Sequence, residues 1–142
     1  EAYHQRPFVC PHACPMISPL KMDEGSTGPL IHFVKKGLPI YCTCVPNGGL
    51  TSPIPLAATI AQANAEYLAM NVLHQMVSPG QPYLYSALPT IMDTKSGAYA
   101  SGGIECGILN MALAQIAKYY QVPYGGYIGL TNSTLCDVQA GY

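Results

Sequence analysis

The run Pro39-Ile40-Tyr41-Cys42-Thr43-Cys44-Val45, the turn Pro46-Asn47-Gly48-Gly49-Leu50-Thr51-Ser52-Pro53, and the alanine-rich stretch that follows constrain the fold most. The first is β-branched and thiol-rich and reads as a strand. The glycine pair permits a tight turn and close approach of backbone to a ligand. Ser52 is placed to cap a helix, with Pro53 at its first position, where a missing N–H costs nothing. Ser78-Pro79-Gly80 stops that helix, predicted over 53–78. The unit is a strand, a turn open at the strand's C-terminal end, and a helix.

The same alternation runs through the chain. Residues 3–20 are proline-punctuated, with a short strand within 12–18, and 21–28 read as a turn-rich link. Leu30, Ile31, Phe33 and Val34 precede Lys35-Lys36-Gly37, a helix stop with cations at its C-terminal end. Residues 81–88 read as a strand and 89–103 as a long polar loop. Ile104, Ile108, Leu109, Ala112, Leu113, Ile116 and Ala117 recur near a 3.6 period, which predicts a helix over 104–121. Residues 122–130 end as a strand would, 131–136 form a loop, and Asp137 caps a further helix. Parallel strands joined by helical crossovers make an α/β sheet, open or closed. Functional residues then gather in the strand-end loops 18–28, 46–52, 89–103 and 131–136.

Hydrophobic residues make up 49% of the 142 and charged residues only 9%. About 25% charged is usual, so a surface this poor in charge is expected to be covered by further protein. Beginning at Glu1 rather than Met, the chain reads as an internal piece. A net charge of -1 gives no electrostatic case for nucleic acid. Gln62, Asn64, Glu66, Asn71 and His74 interrupt the long helix too often for a membrane span. The six cysteines fall mostly in predicted strands and helices, which suits reduced thiols in a cytoplasm.

Several groupings could carry chemistry. Cys10-Pro11-His12-Ala13-Cys14 with Cys42 and Cys44 offers thiolates and an imidazole to a metal or redox centre, although free cysteines are commonly plain core residues. Glu66, in mid-helix and far from the strand ends, reads as a partner for buried backbone. Glu105 lies in the first turn of a helix after a strand-end loop, where it either complements the helix dipole or faces a site. Asp93 in that loop reads as a turn former. Eleven tyrosines against two phenylalanines, with Tyr83, Tyr85 and Tyr99 around the long loop, could hold a quaternary ammonium by cation–π contact. Nucleotide and serine-hydrolase motifs are absent.

Ile17-Ser18-Pro19-Leu20, Gly49-Leu50-Thr51-Ser52-Pro53, Ala65-Glu66-Tyr67-Leu68-Ala69, Pro79-Gly80-Gln81-Pro82-Tyr83, Gly103-Ile104-Glu105 and Asp137-Val138-Gln139-Ala140-Gly141-Tyr142 occur in this order. Together they resemble the trimethylamine methyltransferase family, corrinoid-dependent enzymes that include glycine betaine methyltransferases. Leu50 and Ser52 depart from the commoner family wording. The resemblance implies a partial (β/α)8 TIM barrel of about three to four βα units, occupying residues 1–142 of a longer chain. It implies methyl transfer from a tertiary or quaternary amine to a Co(I) corrinoid presented by a partner protein. The absence of pyrrolysine favours the branch of the family without it. From position, Glu105 is the expected counter-charge, and Tyr83, Tyr85, Tyr99 and Asn47 the expected substrate contacts. The full-length form is expected to be a homo-oligomer.

Overall fold

In the computed structural model, which describes residues 10–126, 133–135 and 138, three helices form near their predicted places. Asn47–Gly48 and Thr90–Ile91, however, are strands inside the stretches read as turn and loop. Residues 81–88, read as a strand, make only isolated bridges at Tyr85 and Ala87. In order the elements are β1 His12–Ala13, β2 Met16–Ile17, β3 Lys21–Met22, α1 Glu24–Lys35, β4 Tyr41–Cys42, β5 Asn47–Gly48, α2 Leu56–Val77, β6 Thr90–Ile91 and α3 Ile104–Tyr119.

The main ladder is parallel. His12 lies opposite Tyr41 and Ala13 opposite Cys42. Past β4, Cys44 pairs with Ala87, and in the same register Asn47 lies opposite Thr90 and Gly48 opposite Ile91. The N–H groups of Leu88, Thr90 and Met92 donate to the carbonyls of Cys44, Pro46 and Gly48. On the far side Tyr85 pairs in parallel with Tyr124. Spatial order therefore follows chain order, as successive βα crossovers require. β2 and β3 form an antiparallel hairpin beyond β1, with Met16 opposite Met22.

Alternation along each strand divides the residues between two faces. On one face Ala13, Cys42, Cys44, Tyr83, Tyr85 and Ala87 pack against Leu30 and Val34 of α1, Ala63, Tyr67 and Met70 of α2, and Leu113 and Ala117 of α3. The Cys44 thiol donates to the Ala63 carbonyl of α2, which fixes that face as the helix side. The other face carries His12, Cys14, Thr43, Asn47, Ser86 and Thr90. Its polar members bond one another: the Thr43 hydroxyl is 2.8 Å from His12 Nε2 and 2.9 Å from Cys14 Sγ.

Helix boundaries differ from expectation in two places. α1 begins at Glu24, inside the stretch read as a link. Asp23 caps it by accepting from Ser26 N–H at 2.7 Å, which offsets the poor helix formers Gly25, Ser26, Thr27, Gly28 and Pro29. α2 begins at Leu56, with Pro55 at its cap and no side-chain cap bond. Ser52 and Ile54 each precede a proline, and that position disfavours the helical region. Ser52 therefore does not cap the helix; its hydroxyl lies 3.3 Å from that of Thr59. The predicted stop at Gly37 forms: its φ is +70, and Gly37 and Leu38 N–H donate to Val34 and Phe33 carbonyls. Most of 131–136, the end of the 122–130 strand and the helix from Asp137 lie outside the described residues.

Candidate functional site at the strand C-terminal ends

β5, β6 and the loops that follow them build the candidate site. Asn47 is held by its own turn. Its N–H donates to Thr51 Oγ1 at 2.9 Å, and its carbonyl accepts from Leu50, Thr51 and Ser52 N–H. Gly49, with φ +89, gives the chain the left-handed step this turn needs. A Cβ on Gly48 would meet Thr59 Oγ1 of α2 at 3.2 Å and Ile91 Cγ2 at 3.5 Å. Gly48 and Ile91 thus face α2, and their neighbours Asn47 and Thr90 face away from it, side by side.

Both of these side chains are buried. Asn47 Oδ1 and Thr90 Oγ1 have no hydrogen-bond partner among the described residues. Buried polar atoms are nearly always satisfied, so two orphans on adjacent strand ends stand out. Thr90 was not singled out from the sequence. Only its register opposite Asn47 reveals it, since a threonine after proline carries no signal of its own.

The loop after β6 folds back on the strand. Asp93 accepts from Lys95 N–H and the Ser96 hydroxyl and so makes the turn expected of it. Both bonds hold its carboxyl below the usual range. Tyr99 pairs with Met92 and is 42% exposed. Ala100 N–H then donates to the Ile91 carbonyl, which delivers Gly103 and Glu105 to the end of β6. Glu105 Oε2 lies 3.1 Å from where a Gly103 Cβ would be. Its half-buried carboxylate therefore folds over the N-terminus of α3, where the helix dipole favours it.

Tyr83 and Tyr85 are elsewhere. Both are buried on the helix side, Tyr85 completely. The Tyr85 ring centroid is 3.8 Å from that of Tyr67, and its hydroxyl donates to Asn64 Oδ1. Tyr83 packs on Tyr67 and His74. The expected grouping of these two tyrosines with Asn47 does not form, because strand alternation sends them to opposite faces. Asn47, Tyr99 and Glu105 do come to the same end of the sheet.

The thiol grouping is divided in the same way. Cys14 and His12 lie on the face away from the helices, whereas Cys42 and Cys44 are buried against α2. Burial pushes the Cys42 thiol up to about 12 and raises Cys44 further. Among the described residues no three His, Cys, Asp or Glu side chains come together as metal ligands. The metal or redox reading loses its geometric basis.

Glu66 joins two strand-end loops. It is fully buried and accepts from Ser18 Oγ at 2.7 Å, Leu20 N–H at 3.0 Å and Gln62 Nε2 at 3.0 Å. Gln62 also donates to the Thr51 carbonyl. The β2–β3 turn and the Gly49–Ser52 turn are thereby tied to one carboxylate. Residues 17–20, 49–53 and 65–69, distant in sequence, meet there.

The family model for trimethylamine methyltransferase matches residues 1–142. The chain belongs to this family. Among its relatives, the glycine betaine methyltransferase of Desulfitobacterium hafniense (strain Y51) is 36% identical over 126 residues, 89% of this chain and 26% of that protein. The trimethylamine methyltransferase MttB of Desulfitobacterium hafniense (strain DSM 10664 / DCB-2) is 34% identical over 97% of this chain and 28% of its own length. The proline betaine:corrinoid methyltransferase of Eubacterium limosum is 32% identical over 96% of this chain and 28% of its own. The chain thus spans little more than a quarter of the relatives it matches.

Proposed function

We propose that the full-length protein moves a methyl group from a tertiary or quaternary amine, of the trimethylamine or glycine betaine type, to the Co(I) corrinoid of a partner protein. Membership of the family supports this reading. Within the chain, the observation that carries it is the pair of buried, unpartnered oxygens Asn47 Oδ1 and Thr90 Oγ1 at adjacent strand ends. The parallel sheet in chain order, with α1–α3 on one side, supports three to four units of a (β/α)8 TIM barrel. In such a barrel the Asn47 face is the interior and its upper end the mouth.

The acceptor is a second substrate and supplies the Co(I) nucleophile, so this chain needs no attacking group of its own. Its residues hold and orient the donor. Glu105 balances the positive charge on nitrogen, which a quaternary donor carries outright and a tertiary donor carries once protonated. The electrons of the broken N–CH3 bond return to nitrogen and the charge is lost, so the carboxylate must not bind the donor too tightly. Tyr99 offers an aromatic face to the methylammonium. Asn47 and Thr90 fix the polar end of the donor and keep one N–CH3 bond directed outward.

We also assign the protein to the cytoplasm and to a homo-oligomer. The cysteines described are unpaired, as a reducing compartment favours. Val72 and Met76 on α2, and Ile104 and Met111 on α3, are well exposed and form stripes at helical spacing that suit burial against another subunit. No helix among the described residues is long and apolar enough to cross a membrane. The test is to incubate the full-length protein with a reduced corrinoid protein and, in turn, trimethylamine, glycine betaine and proline betaine. Methylation of cobalt, read from the corrinoid spectrum, is expected with one of the three. No change with any of them would refute the assignment.

A further inference from the structure

On the face of the sheet away from the helices, Cys14, Thr43 and His12 form a chain of three side chains. The Thr43 hydroxyl stands 2.9 Å from Cys14 Sγ and 2.8 Å from His12 Nε2, and the sulfur is itself 3.6 Å from that nitrogen. A hydroxyl gives one proton and can accept others. Between a thiol and a neutral imidazole nitrogen it accepts from the S–H and donates to Nε2. Strand register builds this chain. His12 lies opposite Tyr41, and Thr43 N–H donates to the Ala13 carbonyl at 3.1 Å. The His12 ring rests near the Tyr41 ring, with centroids 5.0 Å apart, which orients the imidazole. Thr43 is buried, so its hydroxyl has a fixed place, whereas Cys14 and His12 are exposed.

The other thiols are bonded differently. Cys10, Cys44 and Cys106 each donate to a backbone carbonyl, those of Pro11, Ala63 and Ala100. A carbonyl has no proton to give back to a thiolate. Cys42 is buried against the helices, and burial there disfavours its charged form. Among the described cysteines, Cys14 alone joins exposure to a hydroxyl and a base within reach.

We infer that Cys14 is a nucleophilic modification site for alkylating carbon electrophiles, with Thr43 as its proton relay and His12 as its base. A nucleophile, a base within reach and a third group that orients the base are the parts such activation needs. The sulfur bonds to the electrophilic carbon as the bond from that carbon to its leaving group breaks, and the leaving group departs with that electron pair. The thiol proton passes to Thr43 Oγ1 while the Thr43 proton passes to His12 Nε2, which then releases a proton to solvent. The step is a substitution at carbon, balanced without a redox partner. It is independent of the methyl-transfer reading.

The test is brief treatment of the full-length protein with iodoacetamide, with the rate at each cysteine read by mass spectrometry. Cys10, exposed but bonded only to its neighbour's carbonyl, is the internal reference. Cys14 is expected to react at least about tenfold faster than Cys10. His12→Gln and Thr43→Val are each expected to bring Cys14 down to the rate of Cys10 and leave Cys10 unchanged, and Thr43→Ser, which keeps the hydroxyl, to retain the fast rate. Equal rates at the two cysteines in the wild type, or no reaction at Cys14, would overturn the proposal. So would a fast Cys14 that is indifferent to His12→Gln, a change at an exposed position that decides the question even if Thr43→Val fails to fold.

Discussion

Two buried carboxylate and imidazole groups illustrate how single residues hold the fold. Glu66 serves three donors, so Glu66→Ala strands Ser18 Oγ and Leu20 N–H and leaves Gln62 Nε2 with only its Thr51 bond. A loss of about 3 kcal/mol is expected, read as a lower denaturant midpoint for the full-length chain. His74 works in the opposite sense. It is fully buried, and burial lowers its pKa, so the unfolded chain, with a pKa of about 6.5, takes up a proton that the native state refuses. Stability is full above that value and falls as pH drops through 6.5 toward the native pKa. Denaturation at pH 7, 6 and 5 should show the decline, and His74→Leu should flatten it. The structural role of Glu66 was legible from its place in mid-helix. Thr90 was not, because its meaning depends on a partner 43 positions away that only the pairing of β5 with β6 supplies.

At the level of elements, alternation along β4 explains why composition misled about thiols and tyrosines. Both residue types suit a ligand site and a core equally well, and the sequence gives no sign of which face a strand turns to its helices. The consequence is measurable. Brief alkylation of the native protein followed by mass spectrometry should modify Cys10 and Cys14, which are exposed, and spare Cys42, Cys44 and Cys106, which are buried. Unfolding should render Cys42, Cys44 and Cys106 reactive as well. The close fit at Gly48 makes a second expectation. Gly48→Val would press on Thr59 and the Thr90 carbonyl, and should cost about 1–3 kcal/mol by forcing α2 away from β5. The helix over 104–121 and the Gly37 stop were readable because their signals are local. The starts of α1 and α2 were misjudged where a capping aspartate outweighed weak helix formers and where two prolines delayed entry.

For the whole molecule, the sheet separates two kinds of work. Its helix side is a tyrosine- and thiol-lined core, and its other side presents polar groups that end at Asn47 and Thr90. Chain order made the parallel α/β arrangement legible, and the ordered family segments made the methyltransferase reading legible. The grouping of site residues was less so, since it rests on strand register. The central claim is that methyl transfer takes place at the strand C-terminal ends, through Glu105, Asn47 and Thr90. It is tested most directly by the rate of cobalt methylation in the full-length protein, measured with its best amine donor in Glu105→Gln, Thr90→Val and Tyr83→Phe. The account predicts about a hundredfold loss of kcat/KM for Glu105→Gln, about tenfold for Thr90→Val, and a rate close to wild type for Tyr83→Phe. Wild-type rates in both Glu105→Gln and Thr90→Val, with a collapse in Tyr83→Phe, would contradict it.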